Sequence, residues 1–148
     1  MQVTSLEELK QIAKKVNGEV IEIPGFDDMS VLNVKVKRVS LTDLVQCDVL
    51  PNILLLEVQK ILDKKQKGHE IKGKEYERAV KNLEQFTEIV YKQALIEPSV
   101  DDFKSVGLEL NKVQKSMIAE YAIGDTSRLE RFRAFRESLK NNSASKEL

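Results

Sequence analysis

Apolar positions change their period several times along the chain, and each change marks an element. Leu6, Leu9, Ala13 and Val16 recur at spacings of three and four, the repeat of a helix with one apolar side. Thr4 and Ser5 each have a glutamate three residues on, Glu7 and Glu8, so a reciprocal cap can open this helix at either, and Asn17-Gly18 ends it. From Glu19 the period falls to two. Val20-Ile21-Glu22-Ile23 reads as a strand, Pro24-Gly25 begins a turn, and Leu32, Val34 and Val36 alternate with Asn33, Lys35 and Lys37. A β-hairpin with one wet face follows. Two strands alone are marginal in water, so the face carrying Leu32, Val34 and Val36 needs a cover of helices or of another chain's strands, and the hairpin edges are open to a partner.

Beyond the hairpin the pattern is helical. Ser40-Leu41-Thr42-Asp43 looks like a helix start, and Pro51-Asn52 interrupts before Ile53, Leu54, Leu55, Leu56, Val58, Ile61 and Leu62. Four successive apolar residues cover more than one helix face, so this helix either lies centrally in the core, the commoner fate, or is partly buried by a second chain. Asp63 to Lys74, rich in Lys and holding the only His, is expected to be a mobile loop. Tyr76, Val80, Leu83, Thr87, Val90 and Ala94 mark a long helix that Pro98 stops, and Ser99 with Asp102 can cap a short turn closed by Gly107. Leu110, Val113, Met117, Ile118 and Tyr121 form another stripe. After Gly124-Asp125-Thr126-Ser127, a last helix carries Leu129, Phe132, Arg136 and Leu139 on one side. The expected fold is α+β, mainly α: an N-terminal helix and β-hairpin followed by a bundle of about four to five helices. One domain spans residues 1–140, and residues 141–148, without a pattern, are expected to be a disordered tail.

Composition narrows the function classes. A chain of 148 residues buries roughly 70% of its unfolded surface and can hold a core without staples. Its 24 Lys plus Arg balance 24 Asp plus Glu, which gives no global field for a phosphate backbone or an anionic membrane. Neither a nucleic-acid nor a membrane partner is expected, and no apolar run approaches the ~20 residues of a membrane span. The single cysteine, Cys47, cannot form an internal disulfide, and without a neighbouring His or Lys to activate it, it reads as a plain semi-buried thiol.

Candidate chemistry is sparse. His69 is the only histidine, so any triad would have to use it, in a loop without ordered apolar surroundings, where it reads as a solvated residue. One His and one Cys far apart do not make a zinc set, and neither a metal nor a cofactor is expected. Asp27-Asp28 and Asp101-Asp102 stand where turns and helix caps favour Asp. The glycines are too dispersed for a phosphate-binding loop. Arg128, Arg131, Arg133 and Arg136 interleave with Phe132 and Phe135, but Glu130 and Glu137 dilute the patch, and a solvated helix face over buried Phe accounts for it. What remains is shape: apolar helical faces and open strand edges, the parts of a binding protein without enzymatic activity. The residues expected to meet a partner are Ile53, Leu54, Leu55, Leu56, Phe132, Arg133, Phe135 and Arg136, and self-association is expected from Ile53 to Leu56 and the hairpin edges.

Two stretches go further than generic pattern. Ile21-Glu22-Ile23-Pro24-Gly25-Phe26 leads through Val34-Lys35-Val36-Lys37-Arg38 and Ser40-Leu41 to Leu50-Pro51-Asn52; later come Ala94-Leu95-Ile96-Glu97-Pro98 and Leu129-Glu130-Arg131-Phe132-Arg133. Together they resemble tail assembly chaperones of long-tailed phages and prophages of Gram-positive bacteria, in order over residues 19–136. The resemblance implies a protein of the host cytoplasm, absent from the mature virion, that binds the tape-measure protein, shields its long apolar helices and helps recruit tail-tube subunits. It also implies that this chain is the shorter of two products of one gene, the longer made by programmed frameshifting near the C-terminus. The Lys-rich segment from Asp63 to Lys74 departs from the family's pattern. Rival readings are a small DNA-binding regulator with a helix-turn-helix between Leu108 and Leu139, which the zero net charge disfavours, and a structural tail or head-completion protein.

Overall fold

A computed structural model describes residues 1–125 and 127–146, with the side chains of all but residues 127, 136 and 139–146. Among the described residues seven helices accompany a small antiparallel sheet. The chain runs α1 (Leu6–Asn17), β1 (Glu19–Pro24), β2 (Val31–Val36), α2 (Leu41–Gln46), α3 (Asn52–Gln66), α4 (Gly73–Ala94), β3 (Leu95–Glu97), α5 (Val100–Ser105), α6 (Lys112–Ala122) and α7 (Ser127–Lys146). The α+β, mainly α architecture expected from the sequence is therefore present, with the N-terminal helix and hairpin leading.

Local chemistry sets the element boundaries. Ser5 caps α1, its hydroxyl accepting from the Glu8 N–H while the Glu8 carboxylate accepts from the Ser5 N–H. Ser99 with Asp102 and Asn111 with Gln114 cap α5 and α6 in the same reciprocal way, and Ser40 caps α2. In the hairpin turn the Gly25 N–H donates to Ser30 O at 2.8 Å, and a Cβ on Gly25 would lie 2.0 Å from Ser30 Oγ, so only glycine fits.

Ile21 lies opposite Val34, and Ile23 opposite Leu32, which puts the apolar residues of both strands on one face. Helix α6 covers that face, α4 packs on α6, and α3 packs on α4. Ile23, Val34, Val36, Val90 and Ile118 are fully buried where these layers meet, each burial contributing about 1.5 to 3 kcal/mol. Helix α7 also packs here: Leu129 is buried and Phe132 half-buried against the same core.

Four expectations are corrected. The second edge of β2 is not open, because β3 pairs with it antiparallel, Lys35 opposite Glu97 and Val36 opposite Leu95. A three-residue strand is too short for its period to stand out between α4 and Pro98. Half of the Lys-rich segment is helix, with α3 reaching Gln66 and α4 starting at Gly73, so the loop is confined to residues 67–72; Lys and Gln are good helix formers, and Lys64 of α3 pairs with Glu75 of α4 across the turn. The buried side of α4 is Ala79, Phe86, Val90, Tyr91 and Ala94, with Tyr76 exposed. Finally, α7 runs to Lys146 and so enters the stretch read as a patternless tail; residues 147–148 lie outside the described residues.

Candidate interaction surface

The residues expected to meet a partner divide by helix geometry. At 3.6 residues per turn, four consecutive side chains must point around more than half a helix. Leu54 joins Val58 and Ile61 in the buried stripe of α3, Leu55 is half-buried against the core, and Ile53 and Leu56 stand outside at 77% and 48% exposure. Leu54 is thus a core residue, and the partner-facing expectation does not hold for it. Ile53 and Leu56, three apart, adjoin on one exposed face. On α7, Phe132 turns to the core while Phe135 is 60% exposed. Arg133 is exposed beside β1, and the Arg136 side chain lies outside the described residues. The α3 and α7 patches sit on different supports, α4 for one and β1 with α6 for the other.

Between β1 and α7 lies a cavity of about 270 Å³, lined by Glu19, Arg38, Tyr121 and Arg133 among others. The Tyr121 hydroxyl donates to the Glu19 carboxylate, and the Arg38 guanidinium lies 4.7 Å from the Tyr121 ring centroid. Burial first, then the bond to Glu19 and its charge, push the Tyr121 phenol up to about 12 against the opposing pull of Arg38. Arg128, counted in the basic cluster, is committed to Glu120 at 2.9 Å, and burial raises the Glu120 carboxyl against that attraction.

Sequence reasoning missed a second recess, with an apolar floor and a charged rim. Where α4 meets α5 and the segment leading to α6, Tyr91, Leu95, Val100, Phe103, Leu108 and Leu110 line a cavity of about 380 Å³, with Lys92 and Lys104 also in its wall. Three separate segments build it, so no local spacing announces it; only the unassigned Tyr91 and Phe103 were a signal. Beside it Lys115 pairs with Glu88 at 3.0 Å and Glu109 at 3.2 Å, 5.2 Å from the Tyr91 ring centroid. Burial alone would lower the Lys115 ammonium, but its hydrogen bonds to Glu88 and Glu109 outweigh that and raise it. The Tyr91 phenol is raised by burial and by the Glu88 charge. A recess of this size and lining suits an apolar side chain of a bound segment.

His69 and Cys47 are both exposed, which corrects the semi-buried reading of the thiol. Among the described residues no three His, Cys, Asp or Glu side chains gather where they could hold a metal ion, and no helix is long and apolar enough to cross a membrane. None of the family models, curated proteins or solved structures compared with this chain matches it.

Proposed function

We propose that the chain is a non-enzymatic tail assembly chaperone of a long-tailed bacteriophage. It binds the tape-measure protein in the host cytoplasm, helps recruit tail-tube subunits, and is not retained in the virion. The observation that carries this reading is that helices packed on a closed core still present large apolar side chains outward: Ile53 and Leu56 on α3 and Phe135 on α7. A protein whose core is already satisfied gains nothing from these residues alone, whereas an apolar helical client that aggregates when bare gains a cover. The likeness of residues 21–26, 34–38, 40–41, 50–52, 94–98 and 129–133 to the chaperone family supplies the identity of that client.

Co-expression with the tape-measure protein of the same phage tests the proposal. The client is expected to be soluble and to co-purify with the wild-type chain. I53K/L56K and F135K are expected to weaken that complex with little change in melting temperature, because Ile53 and Phe135 are largely exposed and Leu56 about half so. A client that remains insoluble beside the folded chain, or recovery of the chain as a stoichiometric part of purified virions, would overturn it.

A further inference from the structure

Helices α3 and α4 meet at the turn of residues 67–72, and a groove of about 440 Å³ runs between them. Ile61 and Ala79, both buried, form its floor, and the half-buried Ile71 closes its end at the turn. Its walls are charged, with Lys60 and Lys64 from α3 and Lys74 and Arg78 from α4 against the carboxylates of Glu57 and Glu75. Both carboxylates are taken, Glu57 by Lys60 at 3.7 Å and Glu75 by Lys64. Among the described residues, neither Lys74 nor Arg78 has a carboxylate within ion-pair distance. Four positions apart, they stand on adjacent turns of one face of α4. The excess extends past the groove: residues 57–82 hold eight Lys and Arg against five Asp and Glu, in a chain of zero net charge. The start of α4 adds to it. A helix dipole favours carboxylates at the N-cap and in the first turn, yet α4 opens on Lys72, Gly73 and Lys74, its N-cap side chain makes no capping bond, and the first-turn acid, Glu75, is committed to Lys64. Cations at this end cost helix stability, and folding alone does not account for them.

We propose that this groove docks an acidic segment of a partner protein, which lays an aliphatic side chain on Ile61, Ala79 and Ile71 and sets two carboxylates, one helical turn apart, on Lys74 and Arg78. Arg78 offers a planar fork to one carboxylate, and Lys74 a point charge at the positive end of α4 to the other. The lining favours a polypeptide over a nucleic acid. Two uncommitted cations match two carboxylates, whereas Glu57 and Glu75 in the walls repel a continuous phosphate backbone, and the lining holds no aromatic ring on which a base could stack. Zero net charge gives no long-range pull on a polyanion. The groove is lined by residues other than Ile53, Leu56 and Phe135, and the chemistry of its partner is independent of the identity of any client.

Panning a random peptide display library on the immobilised full chain tests the proposal. The wild type is expected to enrich sequences with two Asp or Glu one helical turn apart beside Leu, Ile or Val. The most enriched sequence, made as a labelled peptide, is expected to bind in fluorescence anisotropy and to lose about tenfold or more in affinity for K74E/R78E. That variant should melt no lower than wild type, because both side chains are exposed and acids suit the start of α4. A peptide with its carboxylates replaced by Lys should bind K74E/R78E better than wild type, a reversal that a merely structural effect would not produce. Ile71→Ser, with every charge in place, should weaken binding several-fold. A library that yields no acidic bias, or a peptide that binds wild type and K74E/R78E equally, overturns the inference. Affinity unchanged by Ile71→Ser overturns the aliphatic contact. Retention of a duplex oligonucleotide by the wild type, lost in K74E/R78E, would overturn the choice of a protein partner and assign the groove to nucleic acid.

Discussion

Gln114 is the polar residue on which the seating of α6 turns. It is fully buried, donates from Nε2 to Pro24 O at 2.9 Å, and accepts from the Asn111 N–H at 2.8 Å. It ties the start of α6 to the end of β1, and beside it Val113, expected in the apolar stripe, is turned out to 51% exposure. Gln114→Ala would leave the part-buried Pro24 carbonyl without this donor and remove half a helix cap, a loss of about 2 to 3 kcal/mol that urea unfolding can measure. The second residue-scale expectation concerns Tyr121. Its phenol is raised to about 12, so between the ordinary value of 10.0 and 12 the folded chain holds a proton that the unfolded chain has released. Stability from this group is complete below pH 10 and falls as pH rises towards about 12. Tyr121→Phe should lose the bond to Glu19 at neutral pH and remove the highest-pH step from the phenolate absorbance titration. Neither residue announced its role in the sequence, since the partners of Gln114 and Tyr121 lie 90 and 102 positions away.

At the scale of elements, legibility follows how local the causes are. Helix α1 could be placed from Ser5, Glu8 and Gly18, and the hairpin from the alternation at Leu32, Val34 and Val36, because caps and strand period act over a few residues. Strand β3 was hidden because it is defined by a pairing with Lys35 and Val36, not by any pattern of its own. The candidate surface was half legible. An unbroken run from Ile53 to Leu56 signals more apolar surface than one face can bury, but which residue faces inward is set by α4, and Leu54 is the one. Helix α7 makes the same point testable. Phe132→Ala, half-buried, is expected to cost about 2 to 3 kcal/mol, under the 3 to 5 of a fully buried Phe, and Ile118→Ala in α6 about 2 to 5. Phe135→Ala, at 60% exposure, is expected to leave thermal melting within a degree or two of wild type. Equal losses at Phe132 and Phe135 would mean that α7 is rotated from its described position.

The whole molecule is closed by contacts between its beginning and its end. Strand β2 waits for β3, and the sheet face bearing Ile21, Ile23, Val34 and Val36 is covered by α6, whose residues come much later in the chain. That order has a consequence for the protein's birth. A ribosome adds roughly 5 to 20 residues each second, so the hairpin spends on the order of ten seconds outside with its apolar face bare before α6 follows. Pairings this distant also slow the search for the final arrangement once the chain is free. A chain cut before Lys112 should therefore pellet on expression, and adding residues 112–122 as a separate peptide during refolding should recover part of it in the supernatant; an equally soluble short chain would show that the sheet finds another cover. During synthesis the nascent chain is itself a client, dependent on whatever shields exposed strands at the ribosome until its own α6 arrives.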